Sequence, residues 1–329
     1  MMGRKTYWHL EALRRKPTDY EIASSRLLYH PSRGFEVDVP VADWYVRHQK
    51  NSPLVLSDPE AFSDPRETTY TLYTRIQKDQ EAEAGGVLES MEDPSYDAAL
   101  PEAWIGVLSR IVAPLRYPVH GLQMIAAYAG QMAPGGKIVI AALFQSADEI
   151  RRLQRVAYRV RLLQRTRPSL GLDSREIWEQ DPIWQPMRKC IERLLVTYDW
   201  GEALVALNAV LKPLFDELFM VHLAELAARS GDPLLPRLFA SLDRDCRWHR
   251  DWTRTLLRTA IAENPQNRGV IRGWIRRWHA EALQAVAPFG TIFEGGASAV
   301  GSRFAAVMAS LHAQCRDYWS SADLSISPE

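Results

Sequence analysis

Residues 181–232 read DPIWQPMRKCIERLLVTYDWGEALVALNAVLKPLFDELFMVHLAELAARSGD. Apolar side chains recur at helical spacing through this stretch: Ile191, Leu194, Leu195 and Tyr198, then Leu204, Leu207, Leu211, Leu214 and Leu218. That period marks a helix face turned to a core. Gly201, Ala203, Ala206 and Ala209 let neighbouring helices approach closely. The spacing predicts one helix from Asp181 to Asp232, ended by Gly231-Asp232-Pro233. A periodic run beyond ~25 residues belongs to a coiled coil, a membrane span or a large helical domain. Glu202 and Asn208 stand in its apolar middle, where a lone polar group is costly unless paired. Two readings stay open for them: a vestige of a metal-binding face or a polar link to another helix, and a simple reach to solvent or a backbone carbonyl.

Carboxylates on long core helices are how di-iron bundles hold metal, normally with two Glu-x-x-His pairs. None of the eight histidines belongs to such a pair. The residues three places before them are Thr6, Leu27, Tyr45, Tyr117, Phe219, Cys246, Arg276 and Ala309. The nearest substitute is Asp245 with His249, one turn apart, which reads as a solvated acid–base pair beside Arg244, Arg247 and Arg250. Asp148-Glu149 followed by Arg151-Arg152 reads the same way, as a solvated helix face. The expectation is a bundle with no catalytic, cofactor-binding or metal site of its own.

Bulk properties narrow the class further. The 329 residues are 47% hydrophobic and 24% charged, so a substantial core can be buried. Forty acidic and forty basic residues cancel, and no global field favours nucleic acid or an anionic membrane. Only seven of the basic residues are Lys; Arg, with its planar fork, suits buried ion pairs and interfaces better. Cys190, Cys246 and Cys315 match no zinc spacing and read as reduced thiols of a cytoplasmic protein. The start MMGRKTYWHL has no apolar signal core, and the apolar region from Val119 to Phe144 is too interrupted to span a bilayer. Gly296-Ala297-Ser298-Ala299-Val300 lacks the second glycine of a nucleophile elbow, and Pro134-Gly135-Gly136-Lys137 is not a phosphate loop.

Three regions follow from composition. Residues 1–60 are proline-interrupted yet carry Tyr7, Trp8, Tyr20, Tyr29, Phe35, Trp44 and Tyr45. An irregular segment this aromatic must lay its rings on its own domain or on a partner. Thr18-x-x-Glu21 is a capping-box pattern for a short helix. Residues 61–290 form the helical domain. Its helices are expected over about Pro65–Met91 (capped by Asp64), Pro101–Met132, Ala147–Arg165, the long helix, Leu235–Glu263 and Val270–Ala287. Residues 291–329 are expected to hold a linker, a last helix from about Ser302 to Trp319 and a frayed tail.

A resemblance now emerges. Tyr198-Asp199-Trp200-Gly201-Glu202-Ala203, followed by Asn208 and Lys212-Pro213, resembles the β subunit of bacterial multicomponent (soluble di-iron) monooxygenase hydroxylases, in the four-component toluene and alkene (isoprene) branch. Supporting stretches are Thr6-Tyr7-Trp8-His9-Leu10, Arg14-Arg15-Lys16-Pro17, Arg116-Tyr117 with His120, Gln131-Met132-Ala133-Pro134 and Glu263-Asn264-Pro265 with Gly273-Trp274-Ile275. Together they run from about residue 5 to about residue 288.

The resemblance implies an all-α, ferritin-like (ribonucleotide-reductase-like) helical bundle with an extended N-terminal arm. It implies a non-catalytic subunit scaffolding a di-iron α subunit, which would hydroxylate or epoxidise toluene-like aromatics or isoprene-like alkenes with O2 and NADH-derived electrons. The partners implied are α and γ subunits in a two-copy αβγ assembly, and indirectly a regulatory protein, a Rieske-type ferredoxin and an NADH reductase. The interface or structural candidates are Tyr7, Trp8, Tyr20, Tyr29, Trp44, Tyr45, Trp200, Glu202 and Asn208. The tail after about Ala287 departs from the family pattern. Two rival readings are a stand-alone di-metal oxidase with unrecognised ligands and a helical adaptor protein.

Overall fold

The computed structural model describes residues 8–25, 40–90, 94–294 and 302–324, and among them it contains helices and no strand. The helices are α1 (Asp19–Ser24), α2 (Pro40–Tyr45), α3 (Tyr70–Glu89), α4 (Pro94–Ala98), α5 (Glu102–Val107), α6 (Arg116–Met132) and α7 (Gly136–Leu163). Then come α8 (Ser174–Gln180), α9 (Gln185–Leu195), α10 (Trp200–Leu204), α11 (Lys212–Asp216), α12 (Leu223–Arg229), α13 (Leu234–Glu263), α14 (Asn267–Val286) and α15 (Ser302–Ser321). Wide π turns at Val205–Leu211 and Glu217–His222 join α10, α11 and α12 into one central helix. Gly231, at φ +80°, terminates it in the left-handed conformation that glycine supplies without strain.

The stretch that decided the fold class is therefore two helices, not one. The chain leaves α9 at Val196 and re-enters at Asp199, an N-cap whose carboxylate accepts the Glu202 N–H at 2.9 Å. Ser52 donates its hydroxyl to the same Asp199 oxygen at 3.0 Å. At the new corner Gly201 packs against Leu54 so closely that a Cβ would stand 2.9 Å from the Leu54 Cβ. Periodicity continues across the break, but Tyr198 is 40% exposed and off the buried face.

A second expectation also shifts. Asp64 does not cap α3. It closes a turn by accepting the N–H groups of Arg66 and Thr68, and Thr69 caps the helix five residues later. The Gly85-Gly86 pair does not break α3.

Helices α3, α7, α13 and the central helix surround one interior, with α6 paired along α7 and α14 against α9 and the first π segment. No helix among the described residues is long and apolar enough to cross a membrane. The described parts of the first sixty residues lie on this domain. The Thr18–Glu21 capping box forms both of its bonds. Tyr20 is buried, and its hydroxyl accepts the Asp64 N–H at 3.1 Å. Helix α15 is docked, with Leu311, Cys315, Trp319 and Leu324 buried against the bundle.

Asp199→Ala removes both the cap and the Ser52 link, and should destabilise the chain by ~1–2 kcal/mol in denaturant unfolding. Asp173→Ala, at a helix start whose side chain makes no capping bond, should change it by ~0.5 kcal/mol or less.

Candidate functional site

The interior enclosed by α3, α7, α13 and the central helix is ionic. On α7 the apolar phase of Ile138, Ala141 and Ala142 continues through Gln145, Asp148, Glu149 and Arg152, all buried. The facing residues are Asn208, Lys212 and Asp216 of the central helix, and Asp245, Cys246, His249 and Thr253 of α13. The charge run on α7 and the Asp245–His249 pair are thus not solvated. Opposite charges supplied by neighbouring helices let them stay inside, since a buried charge is tolerable only when paired and hydrogen-bonded.

The contacts form layers along the bundle. In the first, Asn208 and Gln145 exchange amide hydrogen bonds at 2.7 and 3.0 Å, and Asn208 also donates to the Thr253 hydroxyl at 3.0 Å. In the second, the Lys212 ammonium donates to Glu149 at 2.6 Å and lies 3.2 Å from Asp216. Arg152 joins the same two carboxylates, donating to Glu149 and, at 2.7 Å, to Asp216. Beside them His249 Nε2 sits 3.0 Å from Asp148, and its Nδ1 lies 3.8 Å from Glu149. Tyr73 and Gln77 of α3 donate to the other Asp148 oxygen at 2.8 and 2.9 Å. In the third layer Asp245 accepts from Gln77, Gln80 and Arg151, and Arg151 reaches on to the half-exposed Glu81.

Burial, then the neighbouring Asp245, pushes the Asp148 carboxyl well above the usual carboxylate range. Burial, then Lys212 and Arg152, pushes His249 well below the ordinary imidazole value. Both shifts favour neutral forms, in which the Asp148 carboxyl keeps the proton it shares with His249. Burial alone would raise Asp216 too, but Lys212 and Arg152 outweigh it and keep that carboxylate ionised.

These residues do not fit a di-iron centre. Glu149 and Asp216 already hold an ammonium and a guanidinium, and among the described residues no group of three or more His, Cys, Asp or Glu is arranged to hold a metal ion. The arrangement can retain one proton and lock four helices in register.

The model of the methane/phenol/alkene hydroxylase family matches residues 44–264. The chain belongs to that family. It is 38% identical over 288 residues to the β subunit of the hydroxylase component of the toluene-4-monooxygenase system of Ectopseudomonas mendocina, covering 85% of this chain and 88% of that one. It is 27% identical to the oxygenase component of phenol 2-monooxygenase from Pseudomonas sp. strain CF600, over 74% of this chain and 75% of that one. Among solved structures, a chain of toluene 4-monooxygenase with toluene bound in its resting active site superposes with a TM-score of 0.84 at 35% identity, covering 89% of this chain and 98% of that one. Phenol hydroxylase from Pseudomonas sp. OX1 superposes at 0.86 with 20% identity, a likeness of fold.

The residues singled out from sequence fall in different places. Asn208 is in the ionic interior. Glu202 is not; it is half-buried at the α10–α14 contact, accepting from Arg277 at 2.7 Å and from the Trp278 indole at 2.9 Å. Trp200 is buried beneath the corner that Asp199 caps. Trp44 donates to the Tyr128 hydroxyl at 3.1 Å and meets Tyr198 edge-on, and Tyr45 packs partly buried on the core. Tyr7, Tyr29 and the side chain of Trp8 lie outside the described residues. Sequence reading missed Asp148, Glu149, Arg152, Lys212 and Asp216. The available signal was phase: they continue the apolar face.

The shared proton sets how stability depends on pH. A lone His249 with lowered pKa loses stability as pH falls through its unfolded value, and a lone Asp148 with raised pKa loses it as pH rises above its own. With both present, the raised Asp148 and the lowered His249 act in opposite directions between about pH 4 and 6.5, so their slopes offset each other there. Asp148→Asn leaves only the histidine. Relative to the native chain, it should lose up to ~1.4 kcal/mol of stability per pH unit below about pH 6.5. Denaturant unfolding at pH 7.5 and 5.5 checks this.

Proposed function

We propose that this chain is the non-catalytic β subunit of a multicomponent monooxygenase hydroxylase, an oxidoreductase that acts on small hydrocarbons with O2 as part of a complex. The observation that carries the reading is the outer face of the α6–α7 pair. From Tyr117 to Ala147 the sole Asp, Glu, Lys or Arg is Lys137, and its ammonium is turned onto the Glu60 carbonyl at 2.9 Å. Met124 and Leu143 stand 38% and 58% exposed on that face. A face that exposes Met124 and Leu143 beside His120 and Gln131, with no exposed Asp, Glu, Lys or Arg, on a chain that is 24% charged fits a subunit contact.

The ion-filled interior supports a scaffolding role, because every acid that could serve chemistry there is engaged. The di-iron centre and the hydrocarbon pocket belong, in this reading, to an α subunit, with a γ subunit completing a two-copy αβγ assembly in the cytoplasm. A regulatory protein, a Rieske-type ferredoxin and an NADH reductase serve it. Trp44, partly buried and donating to Tyr128 of α6, extends the same contact surface. The relatives' names, which include toluene, phenol and propane monooxygenase components, fit this assignment.

Co-expression with a di-iron α subunit and a γ subunit tests it. The chain should co-purify in equal amounts with both, and iron in the complex should scale with the α subunit. Leu143→Glu should lower recovered complex at least about tenfold while changing the chain's own stability by ~0.5 kcal/mol or less, as a surface substitution does. Full assembly by that variant would remove this face from the account. About two irons per molecule in the chain purified alone would overturn the scaffold reading.

A further inference from the structure

Pro213 stands inside the central helix, directly after Lys212. Proline has no N–H to donate, and its ring crowds the carbonyl four residues back. That carbonyl is Ala209, which the N–H of residue 213 would close in an α-helical register. The helix responds with a wide turn: Lys212 N–H reaches five residues back, to Leu207. The Ala209 oxygen accepts a hydrogen bond from the indole N–H of Trp319, at 2.7 Å, and Trp319 is buried. Trp319 lies on α15, more than a hundred residues away in sequence. The His279 ring meets it edge-on, with ring centres 4.8 Å apart. The same helix touches the second π segment, where the Ser310 hydroxyl donates to Glu217 at 3.1 Å.

We propose that α15 is a clamp on the central helix, in which the Trp319 indole closes the carbonyl that Pro213 leaves open and so fixes the rotational register of Lys212 and Asp216. The register matters because a slide of one residue turns a side chain about 100° around the axis. The Lys212 ammonium is 2.6 Å from Glu149 and would lose that contact. The C-terminal helix thus holds the backbone of the central helix directly, and its Tyr318 hydroxyl also donates to the Arg250 carbonyl at 3.3 Å, beside the cluster.

A bulky indole that merely fills space would give the same burial, so the test turns on Pro213. Four full-length chains are compared by hydrogen–deuterium exchange: native, Trp319→Phe, Pro213→Ala and the double variant. Peptides from α6 serve as the internal reference. Trp319→Phe should speed exchange across Val205–His222 about tenfold, as expected for a lost buried hydrogen bond. In the Pro213→Ala background residue 213 supplies its own N–H, and the same change should alter exchange by less than about twofold. Precipitation of Trp319→Phe that Pro213→Ala cures would support the clamp as well. Equal acceleration in both backgrounds, no acceleration in either, or precipitation in both would overturn it.

Discussion

Everything in this fold answers to the cost of keeping Glu149, Arg152, Lys212 and Asp216 away from water. A single ionised group moved from water to a protein interior costs several kcal/mol even after relaxation. The cost is met only if each charge finds an opposite one at hydrogen-bonding distance. Here the partners come from different helices: Lys212 and Asp216 from the central helix, Glu149 and Arg152 from α7. Helix packing by apolar side chains alone tolerates sliding and repacking. An ammonium held by two carboxylates tolerates neither, so the cluster specifies which turn of one helix faces which turn of the next.

The constraint propagates outward by layers. Beside the charged cluster, burial favours the neutral forms of both Asp148 and His249. Tyr73, Gln77 and Gln80 then bind α3 to the acids of α7 and α13. Arg66 lies over the Trp248 ring at 4.1 Å, and Trp248 donates to Asp64, which also holds Tyr20 through its own backbone N–H. By this route the early part of the chain is tied to the same interior. A bound metal would impose similar order on a bundle of this shape. In this chain side-chain cations impose that order.

Much of the fold was legible in the sequence because helix signals are local. The start of α13 after Gly231-Asp232-Pro233, its end at Asn264-Pro265 and the bounds of α14 lie within a few residues of expectation. Two errors have a common physical source. The break at Val196–Asp199 was invisible because the apolar period runs across it, and only the Asp199 cap and the Ser52 contact reveal the corner. The ion cluster was misread because Asp148-Glu149 with Arg151-Arg152 has the same spacing on a wet face and in a core. Spacing is a property of one helix, whereas the partner that permits burial sits on another. Phase carried the information: the charges continue the face of Ile138 and Ala142. Pro213 was visible from the start, but nothing local could pair it with Trp319.

The central claim is that Lys212 and Glu149 stabilise the bundle as a coupled pair. A double-mutant cycle with Lys212→Met, Glu149→Gln and the double variant, followed by denaturant unfolding of the full chain, measures this directly. The account predicts that each single change strands a buried charge and costs ~3–5 kcal/mol. It further predicts that the double variant costs well under the sum, with a coupling of ~2–3 kcal/mol. Additivity within ~0.5 kcal/mol would mean the two groups do not depend on each other, and would contradict the account.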